Sequence, residues 1–398
     1  MSERSSAMIF NVQDYGAVPG GEPATAAIQR AMDDAAKVCG IVEIPAGRWA
    51  CGCVHVPAGI EVRGTYTWNW SHHLDFGFAG TILELCDESA PCMFDMSDAR
   101  GTAITGLSMN GKRLGDGIHG IYVGHDALSE ADDGIRLENV KVAFFTGDSV
   151  CLRYVRGFFV HHSMLCFSTG WSLSVIGRDV FVIDNWFSGS HESGNFALLG
   201  DAENIMLSAN RIEDPYKDAY NVNLYAPRTG DPTVGARNVS IVNNYLCGAS
   251  SCGVSAVAQG DAVLSGISII GNVFDSNGSF REPIRGTHVT LSGCFGCLVS
   301  QNTLFTKRGF WDPDSPINTA YGITVADCTE VLVAENAIDD CAECGAVVDL
   351  GGHSGNVVLL DNAGREVCHV EGYMFPYWNN EHFPDAKRDD AALALSDL

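Results

Sequence analysis

Residues 180–187 read VFVIDNWF, a short β-branched run that ends in Asp and Asn at a turn, and the same pattern recurs between about residue 100 and residue 365. Later copies read IMLSANRI, VSIVNNYL, ISIIGNVF, CLVSQNTL, VLVAENAI and VVLLDNAG. The turn residues of the series are Asn139, His162, Asn185, Asn210, Asn244, Asn272, Asn302, Asn336 and Asn362. Their mean spacing, (362−139)/8, is about 28 residues. A repeat of roughly 20 to 50 residues is typical of a solenoid, propeller or array.

The residues between the copies distinguish among these repeat folds. It contains a second apolar run, such as WSLSVIG, NFALLG or GVSAVA, and no helical periodicity. Two or three strands per turn, stacked turn on turn, predict an all-β, single-domain, right-handed parallel β-helix with laddered inward side chains. We expect the recurring Asn to adopt a left-handed conformation at the turn and to bond its neighbours in a ladder. The longer gaps predict loops inserted on one face, where a binding cleft is expected.

The ends of such a solenoid need caps, because its terminal strands are otherwise exposed. Residues 22–39 place Ala27, Ile28, Ala31, Ala35 and Val38 at helical spacing, which predicts an amphipathic N-terminal capping helix. We therefore divide the chain into an N-terminal strand and capping helix (1–60), the β-helix with its inserted loops (61–365), and a C-terminal cap with an acidic tail (366–398).

Composition excludes several classes of protein. The 398 residues are 46% hydrophobic and 18% charged, which suits a large core and argues against disorder. The net charge of −25 repels nucleic acid and anionic lipid, so we expect neither as a partner. The start of the chain lacks a signal-peptide pattern and no stretch is apolar enough to span a membrane, which predicts a cytoplasmic protein. The 15 cysteines are then expected to be reduced thiols.

The N-terminal segment carries a first family resemblance. Residues 10–64, FNVQDYGAVPGGEPATAAIQRAMDDAAKVCGIVEIPAGRWACGCVHVPAGIEVRG, resemble the opening of the pectate-lyase-like β-helix superfamily in their DYGA, their A-IQ-A helix and their V-IPAG-W strand. The resemblance implies the fold. It leaves the function open, because this scaffold hosts lyases, hydrolases, epimerases and phage depolymerases.

A narrower resemblance lies in mid-chain. Residues 171–225 and 288–304 are similar to inulin fructotransferases and difructose-anhydride hydrolases in the order of their rungs and in ESGN before an apolar strand. This resemblance implies a fructan or difructose-anhydride substrate, a homotrimer with clefts between subunits, and a catalytic role for Asp218. The second acid of that family is a Glu on the next loop, which here reads YAPRTGDPTVGARN and has none. Either Asp231 serves from a shifted position or the second carboxylate is missing.

Glycosidic bonds are cleaved by a pair of carboxyl groups, one that protonates the leaving oxygen and one that activates water, attacks or stabilises the cation. Neighbouring rungs of a β-helix lie about 4.8 Å apart, so acids at equivalent positions form a pair. The acids are densest from SHESGN to KDAYN, where Asp214 also lies. Our candidate catalytic residues are Asp218, Glu192, Glu213 and Asp231. The alternative for each is a solvated turn residue in a chain with 49 acids.

Substrate contacts are expected from polar and aromatic side chains around these acids. The candidates are His191, Asn195, Arg211, Tyr220, Asn221, Arg228 and Trp186. His191 is a candidate proton shuttle or hydroxyl contact, with a structural hydrogen bond at a solenoid turn as the alternative.

Cysteine pairs raise the question of a metal. Cys294/Cys297 and Cys341/Cys344 have CxxC spacing, but the interval between the pairs is too long for a zinc ribbon and each pair lies in a repeat where Cys fits a buried ladder. We predict no metal site and no cofactor. The predicted function is acid-assisted cleavage or transfer of glycosidic bonds in a neutral oligosaccharide. A calcium-dependent polysaccharide lyase and a non-catalytic carbohydrate-binding solenoid are the alternatives.

Overall fold

The structure is a computed structural model that describes residues 7–65, 80–128, 131–191, 193–216, 219–224, 235–258, 260–278, 286–306, 319, 321–338, 345–363 and 368–369. Over these residues the chain coils through three stacks of parallel strands, which confirms the predicted parallel β-helix. Each coil visits sheet 1, sheet 2 and sheet 3 in turn. Three long strands cross from sheet 1 into sheet 2: Val150–His161, Trp171–Ile183 and Gly194–Ser208.

The remaining strands belong to one sheet each. Sheet 1 also contains Val54–His55, Cys92–Asp95, His119–Gly124, Tyr220–Asn223, Cys252–Val257, Thr287–Ser292, Tyr321–Ala326, Gly345–Asp349 and Cys368–His369. Sheet 2 also contains Ile9–Asn11, Ile41–Glu43, Glu61–Arg63, Ala103–Thr105, Ile135–Glu138, Gly235–Val242, Val263–Ile270, Cys294–Ser300, Thr329–Ala334 and Val357–Leu360. Sheet 3 consists of Gly47–Cys51, Thr81–Leu85, Ser108–Asn110, Lys141–Ala143, Met164–Cys166, Trp186–Ser188, Arg211–Glu213, Tyr245–Cys247, Val273–Asp275, Thr303–Phe305 and Ala337–Ile338.

The core fills the inside of the coil. In sheet 3 the middle residue of each short strand points inward, and Phe187, Ile212, Leu246 and Phe274 stack there without solvent exposure. The first and third residues of the same strands point outward, because side chains alternate along a strand. Sheet 3 therefore presents two outward columns of side chains, stacked one rung apart.

An asparagine ladder closes the turn between sheet 2 and sheet 3. Its members are Asn185, Asn210, Asn244, Asn272, Asn302, Asn336 and Asn362, and each side-chain amide donates to the oxygen of the next at 2.8–3.1 Å. The ladder was predicted, but the left-handed conformation expected for these residues was wrong. The positive φ belongs to the preceding residue instead, as at Asn243 with φ of 55°.

The first two turn residues of the predicted series do not join the ladder. Asn139 and His162 are themselves the positive-φ residues of their turns, with φ of 53° each. Their rungs carry Val140 and Ser163 at the ladder position, where Ser163 accepts the backbone N–H of Val140 at 3.2 Å and bonds Asn185 through its own N–H.

A helix precedes the coil, as the apolar spacing predicted. It spans Thr25–Ala36, and Ile28, Ala31 and Ala35 lie on its buried face. Val38, expected on that face, lies beyond the helix and is exposed. Contacts with Ile9–Asn11 and Ile41–Glu43 place the helix at the first coil, and its role as a cap stays a prediction.

The C-terminal cap and tail predicted for 366–398 lie outside the described residues, apart from the strand Cys368–His369. No helix in the described part of the chain is long and apolar enough to cross a membrane. The cysteines whose side chains the structure describes are all free thiols.

Candidate active site

Sheet 3 brings several of the predicted site residues onto its outer surface. Trp186, Arg211 and Tyr245 stack in one outward column, since Trp186 pairs with Arg211 and Arg211 with Tyr245. Glu213 and Asp275 lie in the other column, with Cys247 on the rung between them. At about 4.8 Å per rung the two carboxylates are separated by roughly 10 Å along the axis.

Glu213 is almost fully buried, and both oxygens of its carboxylate accept hydrogen bonds. The indole N–H of Trp186 donates to Oε1 at 2.6 Å, and Arg211 Nε donates to Oε2 at 2.5 Å. The Arg211 guanidinium also lies 5.0 Å from the Trp186 ring centre and 5.1 Å from that of Tyr245. The structure therefore unites three predicted site residues in one ion-paired, aromatic cluster, with half of the Arg211 side chain in solvent.

Asp275 completes the carboxylate set. It is 1% exposed, accepts the Tyr245 hydroxyl at Oδ2 over 2.6 Å, and accepts the Ser276 hydroxyl at Oδ1 over 2.8 Å. Burial, followed by the hydrogen bond to Asp275, raises the pKa of Tyr245, so that side chain stays a phenol donor.

Asp214 follows Glu213 and adds a third carboxyl group to the cluster. Its backbone turns out of the strand with φ of 47°, and its N–H donates to Cys247 O at 3.0 Å. In the part of the chain that the structure describes, its Oδ1 is buried without a hydrogen-bond partner. Burial and then the charge of Glu213 raise the pKa of Asp214 to about 6, against the opposing charge of Arg211. A carboxyl group of this kind is protonated at mildly acidic pH and is suited to general acid catalysis.

His191 lies close to this cluster in the sequence, and its side chain contacts Tyr216 and Arg113. Its ring stacks on Tyr216 with centroids 4.6 Å apart, and its Nε2 lies 2.8 Å from a guanidinium nitrogen of Arg113. Because an arginine can only donate, Nε2 accepts that hydrogen bond and His191 is neutral in this arrangement. That geometry fits a hydroxyl contact better than a proton shuttle.

Two predicted substrate contacts lie inside the coil instead. Asn195 and Asn221 are fully buried. The Asn195 amide donates to Glu213 O and to Asn221 Oδ1, both at 3.0 Å, and the Asn221 amide donates to Asn277 Oδ1 at 2.9 Å. They form a second internal ladder that supports the backbone under Glu213, so their placement favours a structural role.

The other predicted site residues divide into two groups. Tyr220 lies in sheet 1, where it pairs with Gly194 and Cys252. Glu192, Asp218, Asp231 and Arg228 lie outside the described residues, and their roles stay predictions.

Sequence reasoning missed Asp275 and Tyr245. The sequence did contain a signal for both residues. The third residue after each ladder Asn is, in order, Ser188, Glu213, Cys247 and Asp275. The residue directly after each ladder Asn is Trp186, Arg211 and Tyr245 in the first three of these rungs. Counting from the ladder would have aligned them despite the unequal loops.

A second group of chemistry-bearing side chains lies on sheet 1. His119, Asp148 and Cys151 place one potential metal ligand each within 4.8 Å of one another. However, His119 Nδ1 accepts the Asp148 backbone N–H at 2.9 Å, which leaves the proton on Nε2 and no free lone pair for a metal. Asp148 accepts from Trp171 N at 2.8 Å and from Ser174 Oγ at 2.5 Å, and burial raises the pKa of Cys151 to about 12. The cluster is satisfied internally and does not fit a metal site.

Cys294 and Cys297 are buried in the core of sheet 2 beside Cys328. Their Sγ atoms contact the backbone oxygens of Ala256 and Phe295. This placement agrees with small buried ladder residues. Cys341 and Cys344 lie outside the described residues.

No protein-family model matches the sequence, and no curated protein matches it. Solved structures do match in fold. The Streptococcus pneumoniae surface protein and adhesin PfbA has a TM-score of 0.60 at 13% identity, covering 92% of this chain and all of that chain. The tailspike protein of E. coli bacteriophage HK620, in complex with a pentasaccharide, has a TM-score of 0.60 at 14% identity, covering 91% of this chain and 66% of that chain. The A-module of Azotobacter vinelandii mannuronan C-5 epimerase AlgE6 has a TM-score of 0.55 at 15% identity, covering 92% and 96%.

These proteins are right-handed parallel β-helices, which confirms the predicted fold and its handedness. At such low identities the likeness extends to the fold alone.

Proposed function

We propose that the protein is a carbohydrate-active enzyme that cleaves or transfers glycosidic bonds, with Asp214 as the proton donor. The observation that carries the proposal is the Asp214 carboxyl group, whose pKa burial raises to about 6 and whose Oδ1 has no partner within the described structure. Asp214 is only partly buried as a residue, and an acid that is neutral near its working pH is able to protonate a leaving-group oxygen.

Asp275 is the proposed second carboxylate. The Asp214 carboxyl group lies beside Gly248 on the next rung, and Gly248 N–H donates to Asp275 O at 3.0 Å, so Asp275 lies two rungs from Asp214. Tyr245 and Ser276 hold the Asp275 carboxylate through both oxygens. From this buried position Asp275 stabilises the cationic sugar through its charge, one of the roles of the second carboxyl group of glycosidases.

Glu213 is the proposed positioning residue. Its charge contributes to the raised pKa of Asp214, and its ion pair fixes Arg211 between the Trp186 and Tyr245 rings. Partly exposed aromatic rings offer apolar contact to sugar faces, and Arg211 offers donors to sugar hydroxyls. These side chains form a surface beside the acids on which an oligosaccharide would lie.

The structural neighbours support a carbohydrate ligand, since they include a mannuronan epimerase and a tailspike in complex with a pentasaccharide. The net charge of −25 favours a neutral glycan over a polyanion. Within neutral glycans, we propose a fructan or difructose anhydride on the sequence resemblance in residues 171–225. That finer proposal retains Asp218 as an alternative acid.

The test is product analysis by chromatography and mass spectrometry after incubation with inulin, fructo-oligosaccharides, difructose anhydrides, other neutral oligosaccharides and polygalacturonate. We expect Asp214→Asn to lower turnover by about 100-fold or more. Asp361→Asn is the matched control, because Asp361 is an exposed turn residue with a similar positive φ of 51°. Loss in Asp218→Asn but not in Asp214→Asn would transfer the acid role to Asp218.

Three other outcomes would replace the proposal. An unsaturated, ultraviolet-absorbing product that depends on calcium would indicate a lyase. Glycan binding without turnover would indicate a binding solenoid. Cleavage of a non-fructan glycan alone would remove the fructan proposal and keep the glycosidase.

A further inference from the structure

The outer surface of sheet 2 carries an uncharged strip, which we call the apolar face. In Trp171–Ile183 the side chains of Val180 and Val182 are buried whereas Phe181 and Ile183 point outward, and this alternation repeats in the rungs from Gly194–Ser208 to Cys294–Ser300. The apolar face comprises Phe159, His161, Phe181, Ile183, Met206, Ser208, Ser240, Val242, Ser268, Ile270, Leu298, Ser300, Leu332, Ala334, Val358 and Leu360.

The composition of this face differs from that of the chain. Its sixteen positions contain no Asp, Glu, Lys or Arg, in a protein whose residues are 18% charged. Several of its apolar side chains are well exposed, among them Ile183 at 38%, Leu332 at 37% and Leu360 at 50%. At one end the Phe159 and Phe181 rings stack 4.9 Å apart and line a groove of about 310 Å³. Eleven of the sixteen positions are apolar, four are serines and one is His161, and an exposed, mainly apolar surface of this composition is typical of an interaction site.

The size of the face suits a protein partner. Eight rungs at about 4.8 Å extend over roughly 34 Å, and two side-chain columns are about 12 Å wide, which gives on the order of 400 Å². Two such faces in contact bury about 800 Å², which is at the low end for specific complexes, and the charged rim described below adds to this area.

One rim of the face carries charges of both signs. Arg156 pairs with Asp179 at 3.4 Å, Arg178 with Glu203 at 3.3 Å, and Arg237 with Asp201 at 3.5 Å. A two-fold rotation brings such a mixed rim against its own copy with opposite charges in reach, as an apolar centre with a polar rim requires.

We infer that the apolar face is the contact surface for a second copy of this chain. Two copies with a net charge of −25 each repel one another, so they associate best where the surface has no charge and the rim supplies arginines. The apolar face has no acidic side chain to pair with a strongly basic partner. This inference is independent of the proposed catalytic role of sheet 3.

The test is the mass of the full-length protein in solution, by light scattering during gel filtration and by sedimentation velocity over a range of concentrations. We expect the mass of two chains of 42.6 kDa each. Leu332→Glu and Ser268→Arg should each shift the protein to monomer by at least tenfold in dissociation constant, because each places a charge in the contact. The mass of three chains would contradict the two-fold contact and favour the homotrimer that the sequence resemblance implies.

Val18→Glu is the matched control, since Val18 is 61% exposed and lies at the first coil, where Gly20 N–H donates to Arg48 O, several rungs from the apolar face. Circular dichroism and thermal unfolding establish that each variant is folded. Ser268→Arg removes no apolar contact, so it tests the interface even if Leu332→Glu perturbs the sheet. A monomeric wild type, or an assembly that both sheet 2 variants leave intact, would overturn the inference.

Discussion

The carboxyl group of Asp214 occupies the space beside Gly248 that a side chain would need. A β-carbon added to Gly248 would lie 2.2 Å from Asp214 Oδ1, well inside van der Waals contact. The candidate acid therefore depends on a glycine one rung away, and its position is set by the stacking of turns rather than by its own strand alone.

Substitution of Gly248 should consequently move the acid. We expect Gly248→Ala to reduce glycan turnover and to lower the free energy of unfolding by about 1–3 kcal/mol beyond the backbone cost of a positive φ. Gly296→Ala is the control, because Gly296 has φ of 62° against 70° for Gly248 and nothing within 4 Å of the added carbon. Urea unfolding of both variants measures the difference; equal losses would show that Asp214 does not depend on the space beside Gly248.

The pKa of Asp214 also predicts how stability depends on pH. Burial raises this pKa from 3.8 to about 6 in the folded state, so between these values the folded chain holds a proton that the unfolded chain has released. The free energy of unfolding contributed by this group therefore falls as pH rises through that window and stays low above about pH 6.

Removal of the ionisable group should reverse that effect. We expect Asp214→Asn to be more stable than the wild type at pH 7 by about 1–3 kcal/mol, with the difference shrinking as the pH falls from about 6 and lost below about pH 4. Urea unfolding at a series of pH values checks this. A variant that is less stable than the wild type at neutral pH would show that the ionised form is not disfavoured in the fold.

The fold was predictable because its repeat is visible in the chain. A buried β-branched run and an Asn recur in each coil from Asn185 to Asn362, and both are needed physically, the run for the core and the amide for the turn. The conformation of the Asn was not predictable in the same way. Asn tolerates positive φ, but in this turn the residue before it, such as Asn243, supplies that geometry.

The site was only partly predictable. Arg211 and Glu213 are two residues apart on one strand, so their shared face follows from sequence alone. Asp275 and Tyr245 are separated from them by loops of unequal length, and only the register of the stack brings them close. The raised pKa of Asp214 depends on burial and on the ion pair beside it, which no spacing rule reveals.

The asparagine ladder makes a quantitative prediction about stability. Asn244 accepts from Asn210 N and from the Asn210 amide at 2.9 Å each, and its own amide donates to Leu207 O and Asn272 Oδ1 at 3.0 Å each. Asn244→Ala removes these bonds and leaves buried backbone groups unpaired, so we expect a loss of about 3 kcal/mol or more.

The neighbouring residue provides the control for this prediction. Asn243 is exposed and supplies the positive φ of the turn, so Asn243→Gly keeps the backbone geometry and should change stability by less than about 1 kcal/mol. Urea unfolding of the two variants compares them. Similar losses in both would mean that the turn, not the ladder, stabilises the coil.

The cysteines near the N-terminal end make the last prediction, which concerns chemical reactivity. Cys53 Sγ lies 3.9 Å from Cys92 Sγ, and the hydrogen bond from the Cys92 thiol lowers the pKa of Cys53 to about 7. Burial raises the pKa of Cys86 instead, although Cys86 is the more exposed. Because the thiolate is the reactive form, iodoacetamide at about pH 7 should alkylate Cys53 faster than Cys86, as peptide mass mapping would measure.

Cys92→Ala removes the hydrogen-bond donor and should lower the rate of Cys53 alkylation by about tenfold. Cys166→Ala is the control, because Cys166 is a buried thiol in sheet 3, and it should leave that rate unchanged. An equal rate for Cys53 in the wild type and in Cys92→Ala would show that the neighbouring thiol does not activate it.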